Sequence, residues 1–171
     1  MDFGFTEEQR MVQEMARSFA EKEIAPFIDE DEKNHHYRRE ILSKMGELGL
    51  LGWNIPEEYG GNGMGWMEGV TALYEIAKVH TSWRLSISGN CWGPAMTINE
   101  WGTPEQKEKF IPGLVSGEAV GSFAITEANS GSDVGSMKCF AADKGDHWVV
   151  NGSKIWTSYA NKADWIFCLV R

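Results

Sequence analysis

The chain has 171 residues, 42% of them hydrophobic and 12% aromatic, enough for one domain or a domain and a half around a packed core. Its formal net charge of −9, from 16 basic and 25 acidic residues, argues against nucleic acid or an anionic membrane surface as a partner, since both are held by clustered Lys and Arg. The three widely spaced cysteines, Cys91, Cys139 and Cys168, form no C-x-x-C pair and so imply neither a disulfide framework nor a metal site.

No run approaches the roughly 18 consecutive apolar residues that a membrane span requires. The acidic opening "MDFGFTEEQR" is unlike a signal or transit peptide. A reducing, cytoplasmic compartment is therefore expected.

The first hundred or so residues read as helices. Thr6 and Gln9 stand in capping-box positions, and Val12, Met15, Ala16, Phe19 and Ala20 follow at helical spacing, with Pro26 as the expected stop. The charged interval "DEDEKNHHYRRE" reads as a solvated connection into a second helix carrying Ile41, Leu42, Met45 and Leu48. Its adjacent His35 and His36 cannot share one helical face as metal ligands at i and i+4 do. The glycine-punctuated "GELGLLGWNIPEEYGGNGMG" lacks the G-K-[ST] ending of a phosphate loop and reads as a turn-rich connection. Helical spacing resumes at Trp66, Val70, Leu73, Tyr74 and Ala77, and again through Cys91, Trp92, Ala95 and Met96. A further helix starts cleanly, with Thr103 as cap, Pro104 where its missing N–H costs nothing and Gln106 at the reciprocal position; Pro112 is the expected end.

Beyond Glu118 the punctuation changes. "AVGSFAIT" reads as a strand, "SMKCFAAD" and "HWVVNG" are joined by the turn-like "KGD", and "DWIFCLVR" is an apolar run suited to a strand buried on both faces. A sheet opened in this way needs further strands, so the expectation is that the chain is the front of a longer polypeptide or is completed by a second one.

A helical first half, a strand ending "AITEANSGSD" and then "NGSKIWTSYANKADW" together resemble the front half of the acyl-CoA dehydrogenases, over residues 5–171. "IPEEYGG" at 55–61 and "WGTPEQK" at 101–107 add to the likeness. Ala128 stands where the family commonly has proline, and Thr157 where an aliphatic residue is frequent. The resemblance implies an α+β fold: an all-α N-terminal helical domain over 1–117, then the first strands of a middle β domain over 118–171. The full family architecture would add more strands and a C-terminal four-helix domain.

The implied activity is FAD-dependent dehydrogenation of an acyl-CoA to a 2,3-enoyl-CoA. Hydride passes to the flavin and electrons move on to an electron-transferring flavoprotein, in a homotetramer. Carried over from the first motif, Phe123, Ile125 and Thr126 would line the flavin, with the Ile125 and Thr126 backbone and the Thr126 hydroxyl at its pyrimidine edge. Donors there stabilise negative charge as the ring is reduced. Ser132 would contact the pyrophosphate or the thioester arm, Trp156 would pack on the ring system, and Ser158 would approach the hydride-accepting nitrogen. Asp133 is expected to tie the loop together and Glu127 to anchor it.

No catalytic base is assigned, because the family's usual base lies in the C-terminal helical domain. "SWRLSISGNCWG" at 82–93 resembles the wall of the acyl pocket, and its Arg84, Trp83 and Trp92 suit a cyclic, aromatic or dicarboxylic acyl group, with a lean toward the glutaryl-CoA and short or cyclic acyl-CoA branch. Two alternatives stand beside this: a flavin acyl-CoA oxidase or monooxygenase on the same scaffold, and a non-catalytic acyl-CoA-binding subunit.

Overall fold

Both capping boxes form as the sequence predicts in the computed structural model, which describes residues 4–171. In the first helix, α1 (Glu7–Phe19), the Gln9 N–H donates to the Thr6 hydroxyl at 3.2 Å while the Thr6 N–H donates to the Gln9 side chain at 3.1 Å. Val12, Ala16 and Phe19 turn inward from it.

Pro26 does not end the helical course. The chain widens into a π turn at Ala20–Ile24, then tightens into a 3-10 turn at Ala25–Phe27, where Pro26 sits in the first turn and no N–H is demanded of it. The charged interval is accordingly no open connection but a helix, α2 (Ile28–Asn34). Asp29, Glu30 and Asp31 occupy its first turn, where the helix dipole favours anions, and His35 closes it at φ 50°. The short helix α3 (Arg39–Glu47) buries Ile41, Leu42 and Met45, while Leu48 stays at its exposed end.

In the long helix α4 (Trp66–Val79) the inner face differs from the expected one. Leu73 is buried, but Trp66, Val70 and Tyr74 are exposed, and the inward side is formed by Gly69, Thr71, Ala72, Leu73, Glu75 and Ile76. Small size decides this: a Cβ on Gly69 would lie 2.2 Å from the Trp53 indole, so only glycine lets that ring lie against the helix. Glu75, 1% exposed, is satisfied by Gln13 at 2.9 Å, Arg17 at 3.2 Å and Lys78 at 2.9 Å. Burial alone would push its carboxyl up, but these donors outweigh it and bring the pKa down to about 2.

Helix α5 (Thr81–Ile87) runs on through a π segment, Ser88–Ala95, into α6 (Met96–Trp101). Helix α7 (Pro104–Ser116) has its capping box on Thr103 and Gln106 but passes through Pro112 and ends at Gly117, whose φ of 75° suits a residue without a Cβ. Pro112 and Glu108 are both exposed, so the Glu108 carbonyl that the proline leaves unpaired can turn to water.

Strand β1 (Gly121–Ala124) pairs in parallel with β4 (Trp165–Cys168), Gly121 opposite Trp165, while β2 (Phe140–Asp143) and β3 (Trp148–Asn151) form an antiparallel hairpin. Asp164 fixes the start of the parallel pair: its carboxylate accepts the Val120 N–H at 2.8 Å and pairs with Arg39 of α3. Strand β4 is not buried on both faces. Among the described residues it has β1 as its one neighbour, and Trp165 and Ile166 are 43% and 49% exposed. Among the described residues no helix is long and apolar enough to cross a membrane.

Candidate functional site

Strand β1 is delivered to its position by a buried asparagine. Asn90, in the π segment and 1% exposed, donates to the Leu114 carbonyl at 2.9 Å and the Ala119 carbonyl at 2.8 Å, and accepts the Gly121 N–H at 2.8 Å. One side chain thus joins the long helical run, the end of α7 and the first residue of the strand. Close backbone approach does the rest, since a Cβ on Gly121 would stand 3.1 Å from the Gly89 carbonyl oxygen. Further along, Phe123 stacks on Phe167 across the ladder, their ring centroids 5.0 Å apart.

The strand ends at Ala124, and Ile125 and Thr126, both half-buried, follow it. The Thr126 carbonyl accepts the Ile155 N–H at 2.8 Å, which draws the second sequence motif against the first. Among the described residues the N–H and the hydroxyl of Thr126 donate to no protein group. Two donors are thereby left without a protein partner just beyond the strand.

The loop that follows is self-contained. Glu127 and Ser130 exchange backbone hydrogen bonds at 2.9 and 3.1 Å, and the Ser130 and Ser136 hydroxyls both donate to the Asp133 carbonyl, at 2.8 and 2.9 Å. Asp133 therefore ties the loop through its main chain. Ser132 is exposed at the tip. Glu127 is buried beneath it, with the Lys138 N–H at 2.7 Å, the Cys139 N–H at 2.9 Å and the Lys154 ammonium at 2.9 Å. The Lys138 N–H and then Lys154 hold its carboxyl down at about 2.

The second segment is strained. Trp156 and Tyr159 take φ of 60° and 61°, a left-handed conformation costing a non-glycine residue about 1–2 kcal/mol. Trp156 is 85% exposed and directly follows Ile155, whose N–H reaches the Thr126 carbonyl. Ser158 is exposed as well; its carbonyl accepts the Ser122 hydroxyl at 2.6 Å, while its own N–H and hydroxyl have no protein partner among the described residues. What holds the turn is Tyr159. Its hydroxyl donates to the Ser82 carbonyl at 2.7 Å and accepts from Ser86 at 3.1 Å, and its ring lies 5.2 Å from Tyr37.

The structure draws the second motif along the strand at two points, Ile155 on the Thr126 carbonyl and the Ser158 carbonyl on the Ser122 hydroxyl; among the described residues no hydrogen bond or ring contact joins the side chains of Thr126, Trp156 and Ser158. Arg84 lies on the helical side, close enough for its charge to act on the Tyr159 hydroxyl. It is half-buried and pairs with no carboxylate among the described residues. Trp92 is elsewhere engaged, edge-on to Trp53 at 5.3 Å and tilted against Trp66 at 6.0 Å. Among the described residues no hydrogen bond or ring contact joins Trp92 to Arg84 or Ser132. Three residues escaped the sequence reading: Asn90, Lys154 and Tyr159. Lys154 and Tyr159 both stand inside the quoted motif and Asn90 inside the 82–93 stretch, but nothing local marks any of the three as a tie between distant segments.

Comparison with known proteins gives the family and the fold. Residues 6–118 match the family model described as acyl-CoA dehydrogenase, N-terminal domain, and residues 122–171 match acyl-CoA dehydrogenase, middle domain. A glutaryl-CoA dehydrogenase from Desulfococcus multivorans is 45% identical over 167 residues, covering 96% of this chain and 43% of the relative. The solved structure of a glutaryl-coenzyme A dehydrogenase in complex with glutaryl-CoA superposes with a TM-score of 0.92 at 44% identity, covering 96% of this chain and 42% of that one. An acyl-CoA dehydrogenase from Bacillus anthracis complexed with FAD gives a TM-score of 0.90 at 30% identity, covering 98% of this chain and 29% of that one. The chain thus spans less than half the length of these relatives.

Proposed function

The chain belongs to the acyl-CoA dehydrogenase family, and from that premise we propose that it carries the flavin-binding front of an enzyme that dehydrogenates acyl-CoA thioesters between the α and β carbons. The observation behind this is the junction of Thr126 with Ile155, which joins a strand end bearing two unpaired donors to the segment that carries the exposed Trp156 at φ 60°. Those residue types fit a flat, acceptor-edged heterocycle. FAD, when bound, supplies the acceptor for the hydride that leaves the β carbon.

The chain's own groups divide the remaining work. The Thr126 N–H and hydroxyl face the pyrimidine edge, Ile125 and Phe123 line the ring, and Trp156 covers it from water. Ser158 donates toward the hydride-accepting nitrogen. Ser132 meets the pyrophosphate or the thioester arm. Glu127 is no candidate for removing the α proton: three donors hold its carboxylate and its pKa lies at about 2, too low for a base that must take up a proton near neutrality.

For the acyl group we assign Arg84, which pairs with no carboxylate among the described residues and whose natural partner is a second carboxylate on a short acyl chain. Trp92 is proposed for the pocket wall. Together with the identity to a glutaryl-CoA dehydrogenase, this makes glutaryl-CoA the first thioester to test. We assign electrons to an electron-transferring flavoprotein, in a cytoplasmic homotetramer.

The test is spectroscopic. The protein loaded with FAD is mixed without oxygen with glutaryl-, butyryl- and cyclohexanoyl-CoA, and bleaching of the flavin absorbance is followed. Hydrogen peroxide formation is then compared with reduction of a flavoprotein acceptor, which separates a dehydrogenase from an oxidase. A flavin spectrum left unchanged by every thioester would sink the proposal.

A further inference from the structure

The two successive peptide groups that flank Thr126 are each held through their carbonyls by consecutive residues of the second motif. Lys154, only 7% exposed at its side chain, donates from its ammonium to the Ile125 carbonyl at 2.9 Å and to Glu127 at 2.9 Å. The next residue, Ile155, donates its N–H to the Thr126 carbonyl at 2.8 Å. The Ile125 carbonyl and the Thr126 N–H belong to one peptide group, so a cation on the oxygen draws electron density away from the nitrogen and makes that N–H the stronger donor. Hydrogen bonds in series reinforce one another in this way, and a buried charge acts with little screening.

We propose that Lys154 is a positioning residue that polarises the Ile125–Thr126 peptide and thereby raises the reduction potential of the flavin read by the Thr126 N–H. The proposal rests on the flavin reading given above. It goes further in naming a residue that meets neither cofactor nor substrate. Glu127 does not cancel the effect, because its carboxylate is shared with the Lys138 and Cys139 N–H groups as well as with Lys154. A reduced flavin carries negative charge along its pyrimidine edge, so a stronger donor there favours the reduced form.

The experiment equilibrates the FAD-loaded protein with a redox dye and compares the parent with Lys154→Met, Lys154→Arg and Glu127→Gln. Lys154→Met is expected to shift the equilibrium about tenfold toward oxidised flavin, about 30 mV for a two-electron couple. Glu127→Gln, which leaves the ammonium without its counter-ion, is expected to shift it the opposite way, and Lys154→Arg to stay near the parent. The opposite signs are what a merely structural role would not produce, since a loosened site moves both variants alike. Shifts of the same sign, or none, overturn the inference. If Lys154→Met retains no FAD, the Glu127→Gln arm decides by itself, and an unchanged or lowered potential there overturns it. A parent protein that takes up no FAD defeats the flavin reading first, and this inference with it.

Discussion

Replacing Asn90 by alanine should separate the helical part from the first strand more effectively than any other single change. The side chain satisfies three main-chain groups, the Gly121 N–H and the Leu114 and Ala119 carbonyls, all at 2.8–2.9 Å and within a residue that is 1% exposed. Alanine fills part of the space but offers nothing to any of them. At about 1 kcal/mol for each neutral hydrogen bond lost, the expected destabilisation is about 3 kcal/mol. For a chain of this size that corresponds to a fall in Tm of about 6–12 °C. Thermal unfolding followed by far-UV circular dichroism measures it directly. Asn90→Asp sharpens the test: it keeps an acceptor for Gly121 but turns a carboxylate on two carbonyls, so at neutral pH it should be at least as unstable as the alanine variant. A fall smaller than about 2 °C in Asn90→Ala, or an aspartate variant as stable as the parent, would refute the assignment of these three bonds as the tie between helices and strand.

Other expectations follow from the same contacts. The pKa of Glu75 lies at about 2 in the folded chain, below the ordinary value of 4.5, so its contribution is present above pH 4.5 and is lost as the pH falls toward 2. Urea midpoints taken across that window should fall less steeply for Glu75→Gln than for the parent, and parallel slopes would contradict the pairing with Arg17 and Lys78. Gly69→Ala should destabilise by about 1–3 kcal/mol through overpacking, although alanine is the better helix former, because its Cβ would lie 2.2 Å from the Trp53 ring. A chemical melt that shows this variant gaining stability would mean Trp53 can move aside. Trp156→Gly should leave the flavin-free protein equally stable or up to about 1 kcal/mol more stable by relieving φ 60°, while FAD dissociates faster in a filtration assay. Unchanged FAD retention would remove the indole from the proposed site.

What could be read from the sequence was what depends on near neighbours. The two capping boxes are interactions between residues three apart, so Thr6 with Gln9 and Thr103 with Gln106 announce themselves wherever the chain then goes. The order of the two motifs likewise carries the α+β class and the family. Both proline stops failed for one reason. Whether a proline ends a helix depends on whether the freed carbonyl finds water and whether the register can widen or tighten around it, as happens about Pro26 and Pro112. Periodicity likewise found α4 but not its inner face, because Trp53, many residues earlier, claims the side bearing Gly69 and leaves Trp66, Val70 and Tyr74 outside.

The candidate site divides along the same line. Thr126, Trp156 and Ser158 could be named from their motifs, yet nothing local sets the left-handed turns at Trp156 and Tyr159, the grip of Lys154 on the Ile125 carbonyl or the three bonds of Asn90. Residue types and short spacings settle which groups can bond. Only folding brings partners from distant parts of the chain within 3 Å in a place without water, and there a hydrogen bond or a buried charge gains the strength to hold a strand end ready for a ligand.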